Sequence, residues 1–108
     1  MNVIDKEALY EKIQRGDDFR LIMALDRRAY DQMHIPGSLH FESIEEAAEQ
    51  IDADEEVIVY CSNPLCPVSV QAYRALEQRG FTNLYRYAGG LTEWLESGYP
   101  MEGNQVRV

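Results

Sequence analysis

Two cysteines, Cys61 and Cys66, are the residues in this 108-residue chain whose type and spacing point most directly to chemistry. A thiolate is a nucleophile, a sulfur carrier and a redox group, and its reactivity is set by the local acidity of the thiol. Cys61 directly follows Val57-Ile58-Val59-Tyr60, an unbroken β-branched and aromatic run. The segment from Ser62 to Val68 then forms a loop before a helical pattern begins. A cysteine held there meets loop N–H groups and the positive end of the following helix, both of which favour the thiolate. The opposing reading of Cys61 is a small buried hydrophobe capping a strand. Cys66 precedes Pro67, which suits the first turn of a helix, and it has three readings. It is a second thiol that resolves a persulfide or sulfenate on Cys61, a reactive centre in its own right, or an inert loop residue. Two cysteines without a neighbouring histidine make half of a tetrahedral zinc shell, so neither a metal nor any other cofactor is expected.

The elements that must position these thiols follow from periodicity. Asp5 caps a helix running through Leu9, Lys12 and Ile13 to a stop at Arg15-Gly16. Phe19 to Leu25 is a short, nearly continuous apolar run and reads as a strand covered on both faces. A short helix from about Asp26 to Gln32 ends at Ile35-Pro36-Gly37, and Ser38 to Phe41 is a brief strand. Ser43 and Glu46 form a capping-box pattern opening a helix from Ile44 to Ile51. Val57 to Tyr60 is the strongest strand, and a helix from about Ser69 to Gln78 presents Val70, Tyr73 and Leu76 on one face before the stop at Arg79-Gly80. The strand Leu84 to Tyr87 leads through Gly89-Gly90, a tight turn at the rim of the site, into a helix carrying Leu91, Trp94 and Leu95. Alternating strands and helices predict one α/β domain over residues 1–108, with a mainly parallel central sheet flanked by helices on both faces. In such a sheet chemistry lies at the carboxyl ends of the strands, which is where Cys61 falls. His34 and His40 sit where the chain turns and enters a strand, and both read as structural.

Composition restricts the partners. Ten basic against 19 acidic residues give a formal charge of −9, so the basic footprint of a nucleic-acid binder is missing. No stretch approaches the ~18 apolar residues of a membrane span, and the first residues lack the basic start and apolar core of a signal peptide. A cytoplasmic protein is the expectation. Eight carboxylates lie between Glu42 and Glu56 with no basic residue among them. This reads as a solvated helix and turn, or as a docking face for a basic partner protein.

The ordered residues resemble a known family. Tyr60-Cys61, the loop, the helix ending Leu76-Glu77-Gln78-Arg79-Gly80-Phe81, then Leu84 to Trp94 and Gly98-Tyr99-Pro100 are similar to the second half of a rhodanese-like domain. Tyr30 to Ser38, containing His34-Ile35-Pro36-Gly37, resembles that family's Gly-His-Ile-Pro-Gly-Ala stretch more loosely. The resemblance implies a small sulfurtransferase in which Cys61 accepts a sulfane sulfur as a persulfide and passes it to an acceptor. It also implies that loop residues Ser62, Asn63, Pro64, Leu65, Pro67, Val68 and Ser69 surround the bound sulfur, while the three readings of Cys66 stay open.

The chain departs from the family pattern at the loop. The family commonly carries an arginine there, and aligning the helix back from Gly80 puts Val68 in its place, in a loop two residues longer. Pro64 and Pro67 each remove one N–H donor from any anion cradle. The family's strand-end Asp-x-Arg corresponds to Met23-Ala24-Leu25, and Met33 replaces the glycine before His34. Thiosulfate is a dianion, so weak thiosulfate use is expected, with a low-molecular-weight or protein-borne persulfide as the better donor. The alternatives are a non-catalytic binding or redox-sensing module built on the Cys61/Cys66 pair, and a phosphatase or arsenate reductase. The last is disfavoured because a phosphoryl dianion wants a bidentate guanidinium and the loop contains none.

Overall fold

The computed structural model describes residues 1–105. Five strands, β1 (Val3–Ile4), β2 (Arg20–Met23), β3 (Ser38–Leu39), β4 (Val57–Tyr60) and β5 (Leu84–Tyr87), make one sheet in the order β1-β5-β4-β2-β3. Every strand pair is parallel. Helices α1 (Lys6–Arg15), α2 (Arg27–Gln32), α3 (Ile44–Gln50), α4 (Val68–Gln78) and α5 (Gly90–Glu96) supply the crossovers. The result is a single α/β domain.

β4 is central and wholly buried, and its alternation divides the core in two. Ile58 and Tyr60 pack with Leu9 of α1 and Trp94 of α5 on one face. Val57 and Val59 pack with Ala47 of α3 and with Tyr73 and Leu76 of α4 on the other. Each buried Val or Ile contributes about 1.5–3 kcal/mol of transfer free energy, so the strand that delivers Cys61 is the most firmly anchored in the sheet. The two edge strands have two residues each, which leaves little unpaired backbone for edge-to-edge association.

Local sequence explains the element ends. Asp5 accepts the Ala8 N–H, Asp26 the Ala29 N–H and Ser43 the Glu46 N–H, so three helices open on a side-chain cap. In the α3 box the reciprocal arm reaches one residue further out, Glu46 accepting from the Glu42 N–H.

Several boundaries differ from the sequence reading. Ladder bonds cover only Arg20–Met23 of the run 19–25 and only Ser38–Leu39 of 38–41, and α3 stops at Gln50. β1 has no counterpart in the sequence reading, because two residues carry no alternation. It forms by docking on β5, where the Arg86 N–H donates to the Asn2 carbonyl. α4 begins at Val68, and Pro67 is its N-cap residue instead of lying inside the first turn.

Among the described residues, three of the eight carboxylates between Glu42 and Glu56 pair with a lysine or an arginine. Glu45 meets Arg79, Glu55 meets Arg20, and Glu56 meets Lys12. Among the described residues no helix is long and apolar enough to cross a membrane.

Candidate active site

Cys61 is the residue after β4, 1% exposed, and lies over the start of α4. Its Sγ is 3.4 Å from Ser69 Oγ and 3.6 Å from the Cys66 carbonyl oxygen. The chain reverses over it through Asn63, whose side chain accepts the Leu65 N–H at 2.9 Å while its carbonyl accepts the Cys66 N–H at 3.1 Å. This Asx-type turn returns Cys66 toward Cys61. Leu65, at the crest, is 92% exposed.

Both cysteines are free, and each exerts the largest side-chain influence on the acidity of the other. α4 has no side-chain cap at Pro67, so its first N–H groups need other acceptors. Two of them act on the sulfurs: the Val68 N–H lowers the Cys66 thiol and the Ser69 N–H lowers the Cys61 thiol. Burial pushes the Cys61 thiol up, and its hydrogen bond with Cys66 pushes it further, against the opposing pull of Ser69. Burial also raises the Cys66 thiol, but hydrogen bonds from Cys61, the Val68 N–H and both donors of Ser62 outweigh it, so Cys66 ends below the usual thiol value. Cys66 is therefore the more acidic of the two thiols and Cys61 the less acidic.

A pH series of iodoacetamide labelling with peptide mapping checks that assignment. A depressed pKa means that the reactive thiolate persists to lower pH, so Cys66 is expected to titrate below Cys61. Ser62→Ala should move the Cys66 curve to higher pH. Removing Cys66 should move the Cys61 curve to lower pH, since the partner that held its proton is gone. Labelling of Cys61 ahead of Cys66 in the wild type contradicts the assignment.

The sequence reading offered no guanidinium at the loop, and the structure supplies one from β5. Arg86 Nε donates to Ser69 Oγ at 2.8 Å, and Nη2 donates to the Pro64 carbonyl at 3.3 Å. Two facts together point to this residue in the sequence. Arg86 lies two residues from Leu84, which packs on the α4 face, so strand alternation sends both the same way. β4 and β5 are also neighbours, with Val59 opposite Arg86 and Cys61 two residues beyond. Arg74, nearest the loop in sequence, is exposed and pairs with Glu77 instead.

On the other side of the loop, Gly90 has φ +72° and touches the cysteine backbone directly. The Leu91 N–H donates to the Cys61 carbonyl at 2.8 Å, and the Thr92 N–H to the Ser62 carbonyl at 2.9 Å. Gly89-Gly90 is thus the clamp for the far side of the loop.

Of the residues expected around the sulfur, Ser69 serves Cys61, while Ser62 and Val68 serve Cys66. Asn63 shapes the turn, and Pro64 supplies a carbonyl to Arg86. Pro67 is the α4 N-cap and Leu65 points to solvent. Val68 also walls an apolar groove of about 540 Å³ with Met23, Leu25, Phe41 and Ile44. His34 Nδ1 is tied to the Tyr30 carbonyl and His40 Nε2 to the Leu25 carbonyl, in keeping with structural roles.

The chain resembles proteins of known description. The model of the family described as Rhodanese-like domain matches residues 5–97. A thiosulfate sulfurtransferase GlpE from Pseudomonas syringae is 32% identical over 84 residues, covering 76% of each chain. Its namesake from Actinobacillus succinogenes is 29% identical over 101 residues, covering 92% of this chain and 88% of its own. Among solved structures, the BH2092 protein from Bacillus halodurans superposes with a TM-score of 0.89 over 96% of this chain and 78% of its own, at 23% identity. With the cysteine at the carboxyl end of the central parallel strand and the family pattern spanning nearly all of the described residues, this chain belongs to the rhodanese-like domain family.

Proposed function

We propose that the protein is a sulfurtransferase that carries sulfane sulfur as a persulfide on Cys61. The supporting observation is the placement of its Sγ between the Ser69 hydroxyl and the Cys66 carbonyl at the start of α4. Cys61 gives its proton to solvent, and the resulting thiolate attacks the outer sulfur of a donor persulfide and breaks the donor's S–S bond. The donor leaves as a thiolate and Cys61 becomes Cys61–S–SH. An acceptor nucleophile then takes the outer sulfur and returns Cys61 to the thiol.

Charge and loop chemistry bear on the donor. Two curated relatives carry the name thiosulfate sulfurtransferase. In this chain Val68 stands at the loop position where the family commonly has arginine, in a domain of net charge −9. Arg86 lies close by, but its Nε and Nη2 are engaged by Ser69 and Pro64, so that bidentate edge is not free for a dianion. Thiosulfate should therefore be a poorer donor than a small or protein-borne persulfide. Two free thiols fit a reducing, cytoplasmic setting. The exposed Glu42, Glu49, Asp52 and Asp54 would suit a basic partner.

The test is sulfur transfer from thiosulfate and from glutathione persulfide on wild type, Cys61→Ser and Cys66→Ser. Transfer from the persulfide that Cys61→Ser abolishes is expected, with slower turnover of thiosulfate. Efficient thiosulfate turnover would overturn the donor preference. Persulfide found only on Cys66 would move the nucleophile.

A further inference from the structure

The loop turns back so that the main chain of a second cysteine, Cys66, lies against the Cys61 sulfur. We propose that Cys66 resolves the Cys61 persulfide within the same chain, so that the protein releases hydrogen sulfide and closes a Cys61–Cys66 disulfide. The inference rests on the sulfurtransferase reading and adds a second outcome for the bound sulfur.

The geometry carries it in three steps. The Asn63 turn fixes the path from Cys61 to Cys66 through two hydrogen bonds, and Cys66 is brought back until its carbonyl is 3.6 Å from Cys61 Sγ. The inner sulfur of a persulfide on Cys61 is that same Sγ, already in place. Finally, Cys61 is 1% exposed, so an external acceptor must enter the loop, whereas Cys66 is already inside it. An intramolecular nucleophile so placed has the advantage of high effective concentration. The lowered pKa of Cys66 adds to this, since it favours the thiolate, which is the attacking species.

The step balances. Cys66–S⁻ attacks the inner sulfur of Cys61–S–SH, the Cys61–Cys66 S–S bond forms, and the sulfane S–S bond breaks. The departing sulfur takes the electron pair and its proton as HS⁻. The zero-valent sulfur is reduced to sulfide, and the two cysteine sulfurs are oxidised to a disulfide. An external dithiol of the dithiothreitol or dithiol-protein class then reduces that disulfide, becoming a disulfide itself and restoring both cysteines. Attack at the outer sulfur would instead move the persulfide to Cys66 with no release of sulfide.

The experiment loads reduced, full-length protein with glutathione persulfide, removes the donor by rapid desalting, and follows sulfide together with the non-reduced intact mass. Wild type is expected to release one equivalent of sulfide and to end two hydrogens lighter than the reduced chain. Cys66→Ser and Cys66→Ala should hold one extra sulfur on Cys61 and release sulfide only after thiol is added. Dithiothreitol should make wild-type release catalytic. Wild type that keeps the extra sulfur on Cys61, or shows it on Cys66 without sulfide, overturns the resolving step while the carrier reading stands. If the Cys66 variants and wild type alike take up no sulfur, the carrier reading itself fails.

Discussion

Replacing Arg86 with Met is expected to slow sulfur uptake at Cys61 by roughly 10–100-fold, corresponding to loss of a charge-assisted hydrogen bond worth about 1.5–3 kcal/mol. Met keeps most of the aliphatic stem and removes the guanidinium, so the change isolates the donors from the packing. The effect travels through Ser69. Arg86 Nε–H occupies a lone pair of Ser69 Oγ at 2.8 Å, and Cys61 Sγ lies 3.4 Å from the same oxygen. When Cys61 is a thiol, it donates to that oxygen. Once ionised or persulfidated it has no proton to offer at Sγ, and the hydroxyl must become the donor. Arg86 favours that arrangement by holding the oxygen from the other side and leaving its proton for sulfur. Arg86 is thus a positioning residue, and its role has a signature that a purely structural one lacks. Both Arg86→Met and Ser69→Ala should move the Cys61 alkylation curve to higher pH, since Ser69 lowers the Cys61 thiol. Arg86→Lys should recover part of the rate with one donor in place of the fork. The double variant should cost less than the sum of the singles, as expected for residues acting through one hydrogen bond. An unchanged rate and pH curve in Arg86→Met would remove Arg86 from the site.

What the sequence disclosed about this site, and what it hid, follows from the range of each signal. β4 and β5 were legible to the residue because β-branched and aromatic runs report their own burial. The cap residues Asp5 and Ser43 were equally legible, since a cap acts within three residues. Cys61 could be placed at the carboxyl end of a central strand by the alternation of elements alone. Arg86 was missed because its partners lie 17 and 22 residues away, beyond any local pattern. The guanidinium comes from the neighbouring strand and not from the loop itself. β1 was hidden for a related reason, as two residues become a strand only after β5 exists to receive them. The division of the loop donors between two sulfurs was also out of reach. It depends on the Asn63 turn, whose closure no composition rule specifies.

Gly90→Ala should destabilise the domain by about 2–5 kcal/mol, and it should do so at the cysteine loop. Two costs combine. An L-residue at φ +72° occupies the left-handed region at about 1–2 kcal/mol. The new methyl would also lie 2.7 Å from the Cys61 carbonyl oxygen and 2.8 Å from the Asn63 nitrogen and the Ser62 carbonyl carbon. All three contacts are main chain, so no side-chain rotation relieves them, and overpacking of this kind typically costs about 1–3 kcal/mol. Relief requires α5 and the loop to separate, which stretches the bonds from the Leu91 and Thr92 N–H groups to the Cys61 and Ser62 carbonyls. Loss of stability and loss of function should therefore appear together. Urea unfolding reads the first as a lower midpoint, and the second is a lower persulfide yield at a urea-free temperature where the variant is fully folded. Gly98→Ala separates strain from crowding, because Gly98 has φ +76° but its added methyl meets nothing within 4 Å. It should lose about 1–2 kcal/mol and retain sulfur uptake. Equal losses in the two variants would show that crowding against the cysteine loop contributes nothing. A folded Gly90→Ala chain with wild-type persulfide yield would show that the clamp does not set the position of Cys61.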